Sequence, residues 1–436
     1  MIPTGRELAG SAPGGGARGP LLMPGEKPVR IHLTASAEQA VQSGHPWVFD
    51  GGILKQNRQG QPGELAALYG KHDRLVALGL YDPDSPFRVR VFHRGGSVIL
   101  NDRWWQEHLL QPIQKRQNWF DCETTGYRLI HGESDGWPGL VLDRYGSVLV
   151  LKLYTAAWLP WLKRLSTWIR GLLTPESLVL RLSRNIQSMA VARGFPDDGT
   201  VLLGKAIQRA VPFLENGLQF EAEVCRGQKT GFFLDQRENR QRVATLAAGK
   251  HVLNLFSYSG GFSVYAARGG ALSATDVDVS APALESARRH FQLNAGLYPH
   301  RDCRHSTVQA DAFEWLQSAS ASARYDLVVL DPPSLTRQAS NREAAMRAYR
   351  WLVQKSLRKL RLGGILVAAS CSAHVRPDEF FNLVRATARV AGMQIRDLAT
   401  TGQPVDHPAT FREAEYLKCI YLQLLGATHK PKRRRA

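Results

Sequence analysis

Five apolar runs in the C-terminal half of this chain end on residues that could do chemistry. "VLNLFSYSGG" ends in the tight turn Ser259-Gly260-Gly261, "ALSATDVD" ends on Asp278, and "STVQAD" ends on Asp311. "DLVVLDPPSL" turns at Asp331, and "GGILVAASCS" places Cys371 between two serines. A small-residue turn at a strand end lets backbone approach a ligand at a helix start, although GxGxxG, the dinucleotide pattern, is absent. Asp278 could accept hydrogen bonds from both ribose hydroxyls of a nucleoside, and Asp311 from the exocyclic amine of an adenine. Each aspartate also precedes a helical pattern and reads equally well as a helix N-cap; three successive strand ends of this kind together suggest an adenosine site. Asp331-Pro332-Pro333 forms a rigid exit loop, either a plain strand-ending turn or a holder of acceptors toward an extruded base. An isolated cysteine at a strand end is ordinarily a small buried hydrophobe. At a ligand edge beside Asp331, Cys371 is instead a candidate carbon nucleophile needing no metal.

The elements that must position these residues alternate strand and helix from about Leu218 onward. Their strands are nearly uninterrupted apolar runs, which predicts a parallel α/β sheet covered on both faces, with ligands beyond the C-terminal strand ends. Before it, residues 29–100 read as short strands between Gly, Asp and Pro turns, a small β-rich module. Residues 101–215 begin with the helical pattern "NDRWWQEHLLQPIQKRQNWF" and continue with strands around the amphipathic "AAWLPWLKRLSTWIRGLL". Trp158, Trp161 and Trp168 recur at roughly helical spacing, which reads as core before a nucleic-acid stacking platform. The α/β unit then occupies 216–426, with a disordered leader at 1–28 and a basic tail at 427–436.

The 436 residues are 44% hydrophobic and 22% charged, typical of globular protein with several cores. No apolar run is long enough to span a bilayer and the N-terminus lacks a secretory pattern, so a cytoplasmic protein is expected. Five scattered cysteines and 13 histidines show no metal-ligand spacing, so no metal is expected. Fifty-six Lys+Arg against 38 Asp+Glu give a net charge of +18, a field that attracts polyanions, nucleic acid above all. A basic enzyme without such a partner is the bland alternative.

With these motifs the chain resembles the class I S-adenosylmethionine-dependent methyltransferases. More narrowly, it resembles the bacterial 23S rRNA cytosine-5 methyltransferases that carry an N-terminal PUA domain. The matching stretches are "SGHPWVFDGGI", "ALGLYDPDSPFRVRVF", "HGESDGWPGLVLDRYG", "GQKTGFFLDQRENR", "VLNLFSYSGGFSVYAARGGA", "VDVSAPALESARRHFQLN", "DPPSL", "SCS", and "DHP" followed by "EYLKCIYL". The resemblance implies a PUA-like β-barrel at 29–100, a central β-β-α-β-β domain at 101–215 and a Rossmann-like methyltransferase at 216–426. It implies S-adenosylmethionine as cofactor, with Phe256, Ser257, Ser259 and Gly260 at its methionine half, Asp278 on ribose and Asp311 on adenine. Phe233 and Gln236, in "TGFFLDQR", would close over it. Cys371 matches the family nucleophile, with Asp331 on the N3/N4 edge of the flipped cytosine. The implied partner is 23S rRNA, with no membrane and no metal; a homodimer is left open.

Other readings compete. An amine methylator of the (N/D)PP-aromatic type would place an aromatic where Ser334 stands. A guanine-N7 methyltransferase would leave Cys371 idle. A non-catalytic RNA-binding assembly factor would not need Asp278, Asp311, Asp331 and Cys371 together.

Overall fold

The computed structural model describes residues 27–300, 302–319, 323–336 and 339–427. Nearly all of the expected leader and of the basic tail lies outside them.

Alternating side chains build the first unit. Val29–Leu33 buries Val29, Ile31 and Leu33 on one face and turns Arg30 outward, as a half-buried strand should. It lies in a six-stranded sheet completed by Trp47–Val48, Ile53–Gln56, Leu65–Tyr69, Leu75–Tyr81 and Val89–Arg94. Thr34 caps the helix Ala35–Gln42 by accepting from the Ala37 amide at 3.2 Å.

The central unit is a five-stranded sheet and differs from the expected β-β-α-β-β order. Three strands, Gly126–His131, Leu140–Tyr145 and Val148–Leu153, precede the helix Leu162–Leu173. The left-handed Gly146 (φ 57°) reverses the chain between the second and third, splitting one long apolar stretch into a hairpin. After Ser177–Leu182, a further helix, Arg184–Ala192, precedes the edge strand Val201–Gly204. Trp158, Trp161 and Trp168 are core: none is more than 2% exposed, and all three surround Trp105. Their indole N–H groups donate to Pro138 O, Gly63 O and Asp102 Oδ1. The Gly63 contact ties this core to the first sheet.

A hairpin, Val211–Glu215 and Leu218–Ala222, spans the expected boundary at 215/216, its Asn216-Gly217 turn having positive φ at both residues. The third unit is a seven-stranded sheet: β1 His251–Leu255, β2 Ser273–Asp278, β3 Arg304–Gln309, β4 Tyr325–Leu330, β5 Leu360–Ser370, β6 Met393–Thr401 and β7 Lys418–Ala427. Its order is 3-2-1-4-5-7-6. The expected all-parallel sheet is corrected here, because β7 runs antiparallel between β5 and β6. No α-helix crosses over between β6 and β7, so the returning strand has to reverse. Helices α1 Arg237–Leu246, α2 Gly261–Arg268, α3 Ala281–Leu293, α4 Ala312–Ser318, α5 Arg342–Leu357 and α6 Pro377–Val390 cover the sheet. The strand order reverses between β1 and β4, where such sheets bind ligands.

The units share one interior. A single apolar cluster joins Tyr145, Val150 and Val179 of the central sheet to Phe220, Val252 and Tyr421. Beside it, the fully buried Asp406 receives both Arg237 Nη atoms (2.7 and 3.2 Å), the Arg128 amide (2.9 Å) and the His407 ring Nδ1 (3.1 Å). Arg116 Nη2 donates to its carbonyl at 3.1 Å. Removing one partner of a buried ion pair strands the other charge. Asp406→Ala should therefore destabilise the protein by about 3–5 kcal/mol, read as an early transition in chemical denaturation.

Candidate active site

The strand ends expected to carry the chemistry open onto one cavity. Phe233, Gln236, Phe256, Ser257, Ser259, Asp278, Asp311, Asp331 and Cys371 all line it. Gly260 does not, and Gly261 takes its place in the wall. Gly260 has φ 72°, and a Cβ there would stand 2.8 Å from both Ala287 Cβ and Asp276 Oδ2. Its bareness lets the loop after β1 pack against α3.

That loop stores strain. Phe256 and Tyr258 have φ of 58° and 47°, at a cost on the order of 1–3 kcal/mol each for L side chains. Asp278 ties it down, accepting from the Tyr258 amide through Oδ2 (2.8 Å) and from the Ser280 amide through Oδ1 (2.9 Å). The helix cap of α3 is Ser280, so the capping alternative fails for Asp278. It holds for Asp311, whose Oδ1 accepts from the Phe313 and Glu314 amides at 2.8 and 3.2 Å. One capping oxygen leaves the other without a hydrogen bond among the described residues.

The cavity also contains buried hydroxyls in need of partners. Ser257 Oγ and Ser259 Oγ are shielded and make no hydrogen bond among the described residues. Leaving such a group unpaired costs about 1–3 kcal/mol, so a ligand with polar groups is favoured here. Carboxylates at two strand ends, unpaired hydroxyls between them and the rings of Phe233, Phe256 and Phe262 form a donor and acceptor set that fits S-adenosylmethionine.

At the other end of the cavity, Gln236 Nε2 donates to Asp331 Oδ2 at 2.9 Å. Gln236 is oriented in turn by Asn239 Nδ2 at 2.6 Å, and Asn239 by the Thr401 and Tyr421 hydroxyls. Burial, reinforced by the charge of Asp235, pushes the Asp331 carboxyl up to about 7. The serines flanking Cys371 point the other way, into the core. Ser370 Oγ and Ser372 Oγ bond to the Tyr349 hydroxyl at 2.9 and 3.0 Å and pin the end of β5. Cys371, half-buried, turns its Sγ toward the Pro332 carbonyl at 4.0 Å. Burial, with the Asp331 charge second, pushes its thiol up to about 11.

Three further groups were not singled out from the sequence. Asp235 Oδ2 receives Lys229 Nζ and the Tyr416 hydroxyl (2.8 Å), while its Oδ1 is buried and unpaired. Burial opposes its ionisation, but Lys229 and His407 hold it well below the usual carboxylate range. Lys229 and Asp235 lie inside "GQKTGFFLDQRENR" and Tyr416 inside "EYLKCIYL". Those stretches carried the resemblance; nothing in their spacing says that the three side chains meet.

Comparison with known proteins gives the cavity its context. Residues 127–415 match the family described as S-adenosylmethionine-dependent methyltransferase, and residues 31–94 match the PUA-like domain. A ribosomal RNA large subunit methyltransferase of Deinococcus radiodurans is 51% identical over 402 residues, covering 91% of this chain and 97% of its own. A ribosomal RNA large subunit methyltransferase I of Serratia proteamaculans is 32% identical, covering 89% of this chain and 98% of its own. Among solved structures, a SAM-dependent methyltransferase from Streptococcus mutans superposes with a TM-score of 0.76 at 22% identity, covering 91% of this chain and all of its own. A methyltransferase complexed with SAH gives 0.77 at 23%, with the same coverage. At these identities the two structures speak for the fold alone.

The raised Asp331 carboxyl has a consequence for stability. Its folded-state value lies above the ordinary 3.8, so its contribution is full below about pH 4 and is lost as pH rises through about 7. Asp331→Asn never carries the charge. Its thermal midpoint, relative to the unaltered protein, should climb from pH 5 to pH 7 and stay a few degrees higher at pH 8, as scanning calorimetry would register.

Proposed function

The chain belongs to the S-adenosylmethionine-dependent methyltransferase family, and on that premise we propose that it methylates C5 of a cytosine in large-subunit (23S) ribosomal RNA through a covalent adduct between Cys371 and C6 of the base. The observation that carries this reading is the sharing of one cavity by Cys371, Asp331 and the adenosine-type strand ends Asp278 and Asp311. The relatives from Deinococcus and Serratia, both ribosomal RNA large subunit methyltransferases, support the substrate class. A net charge of +18 supports a polyanionic partner.

S-adenosylmethionine supplies an electrophilic methyl group on a sulfonium. Asp278 would hold its ribose, Asp311 the adenine amine, and Ser257 and Ser259 its methionine portion, with Phe233 and Phe256 against it. C5 of cytosine is too weak a nucleophile to take the methyl unaided, and the work of Cys371 is to change that. The S–H proton leaves, sulfur bonds to C6, and the C5=C6 electrons become available at C5 as an enamine. A carboxyl that exchanges its proton near pH 7 suits Asp331 for carrying that proton to N3 as negative charge develops there. After C5 is methylated, its proton passes to water, the C–H electrons re-form the double bond and expel the Cys371 thiolate, and N3 returns its proton to the Asp331 carboxylate.

Cys371→Ala should abolish methyl transfer to unmodified 23S rRNA, about 10³-fold or more, while calorimetry shows cofactor affinity within twofold of the unaltered enzyme. Undiminished turnover would refute the covalent route. Asp278→Ala should weaken cofactor binding about tenfold or more by the same calorimetry. Nucleoside mass mapping of rRNA from a strain lacking the gene should show one 5-methylcytidine missing. An unchanged set would exclude this product.

A further inference from the structure

The first residue of β7 carries a cation that no carboxylate neutralises. Lys418 is 1% exposed, and among the described residues it forms no ion pair; Glu415 and Glu379 act on it only from a distance. An ammonium removed from water without an anion is unfavourable, and burial brings this one down to about 8. What holds it is backbone: Nζ donates to the Ser372 carbonyl at 2.5 Å and to the Tyr416 carbonyl at 3.0 Å. An ammonium has three N–H groups, so one remains.

Strand register explains which residue lies beside this ammonium. Lys418 stands opposite Ser370 in the β5–β7 pairing, and its side chain reaches past that pair to the carbonyl of Ser372. Cys371 is the residue between them. The charged groups acting on its thiol come from four directions: Asp331 after β4 and Asp235 before α1 oppose its ionisation, while Lys229 and Lys418 favour it. The Tyr349 hydroxyl of α5, bonded to both flanking serines, is the remaining titratable neighbour. Lys229 is paired with Asp235. That leaves Lys418, bonded to the carbonyl of the residue after Cys371, as the cation of these four groups without a carboxylate partner.

We propose that Lys418 is the counter-charge of the Cys371 thiolate, a positioning residue that stabilises the sulfur anion when it forms before attack and again when it is expelled from the adduct. The inference rests on the nucleophile reading given above. The proton balance is that of the same reaction: the S–H proton passes to the Asp331 carboxylate as the thiolate forms, and goes on to N3 of the base as the S–C6 bond forms. Sulfur departs from the methylated ring as the thiolate, facing Lys418 once more.

The test is the pH dependence of Cys371 alkylation by iodoacetamide in the full chain, followed by peptide mass spectrometry without RNA. Lys418→Gln keeps a donor for the two carbonyls and loses the charge; its alkylation midpoint should rise by about one pH unit, a tenfold loss of thiolate at a given pH. Lys418→Arg, which keeps the charge, should return the midpoint toward that of the unaltered protein. In methyl transfer, Lys418→Gln should lower kcat about tenfold or more and leave the KM for S-adenosylmethionine within twofold. An unmoved midpoint in Lys418→Gln overturns the counter-charge whatever happens to kcat, because a purely structural lysine does not titrate the sulfur. Methyl transfer by Cys371→Ala would instead overturn the nucleophile reading, and with it the catalytic part of this role.

Discussion

A carboxylate that sees no water must be surrounded by donors, and Asp406 meets that demand by gathering parts of the chain that are far apart in sequence. Its donors are the amide of a central-sheet strand, the guanidinium of α1 and the ring of the next residue. The loop between β6 and β7 can take only the path that satisfies them. That path brings Tyr416 onto Asp235, which lines the cavity, and Lys418 onto the carbonyl of Ser372, next to the cavity-lining Cys371. The wall of the active site is thus set by an ion pair that does not itself line it.

Within the cavity, two carboxylates are driven apart. Asp235 has a lysine and a tyrosine hydroxyl on one oxygen and stays ionised; Asp331 has one amide donor and a carboxylate neighbour, and exchanges its proton near neutrality. Environments that separate the acidities of like groups allow each to serve a different step. The thiol follows the same logic in reverse, since the burial that protects it from solvent also resists its ionisation and makes nearby positive charge count.

Much of this was legible in the sequence because strand ends announce themselves. An apolar run of five or six residues broken by Asp, Ser or Cys gives both the element and the residue at its mouth, and Ser259, Asp278, Asp311, Asp331 and Cys371, read in this way, all line one cavity. The tryptophans were legible as core from their spacing. Strand direction was not: an apolar run is the same in either sense, so the reversal of β7 became visible only with the pairing. Asp278 and Asp311 look alike before a helix, and only backbone geometry separates the one that ties a loop from the one that caps α4. Gly260 reads as a ligand-facing glycine, yet the nearest atoms belong to Ala287 of α3 and Asp276 of β2. Lys229, Asp235 and Tyr416 stayed hidden because a buried pair is defined by tertiary neighbours.

The sheet order has a consequence in time. β7 is the last strand of the described chain, yet it lies inside the sheet, between β5 and β6. During synthesis β5 and β6 emerge first and cannot pair with each other in the final order; a gap one strand wide must be kept or reopened. Until β7 enters, the end of β5 lacks the lysine that reaches its carbonyl, and the shared apolar cluster lacks Tyr421. The wall around Cys371 is therefore completed only when β7 enters, and a copy lacking β7 presents the cysteine without its neighbouring lysine.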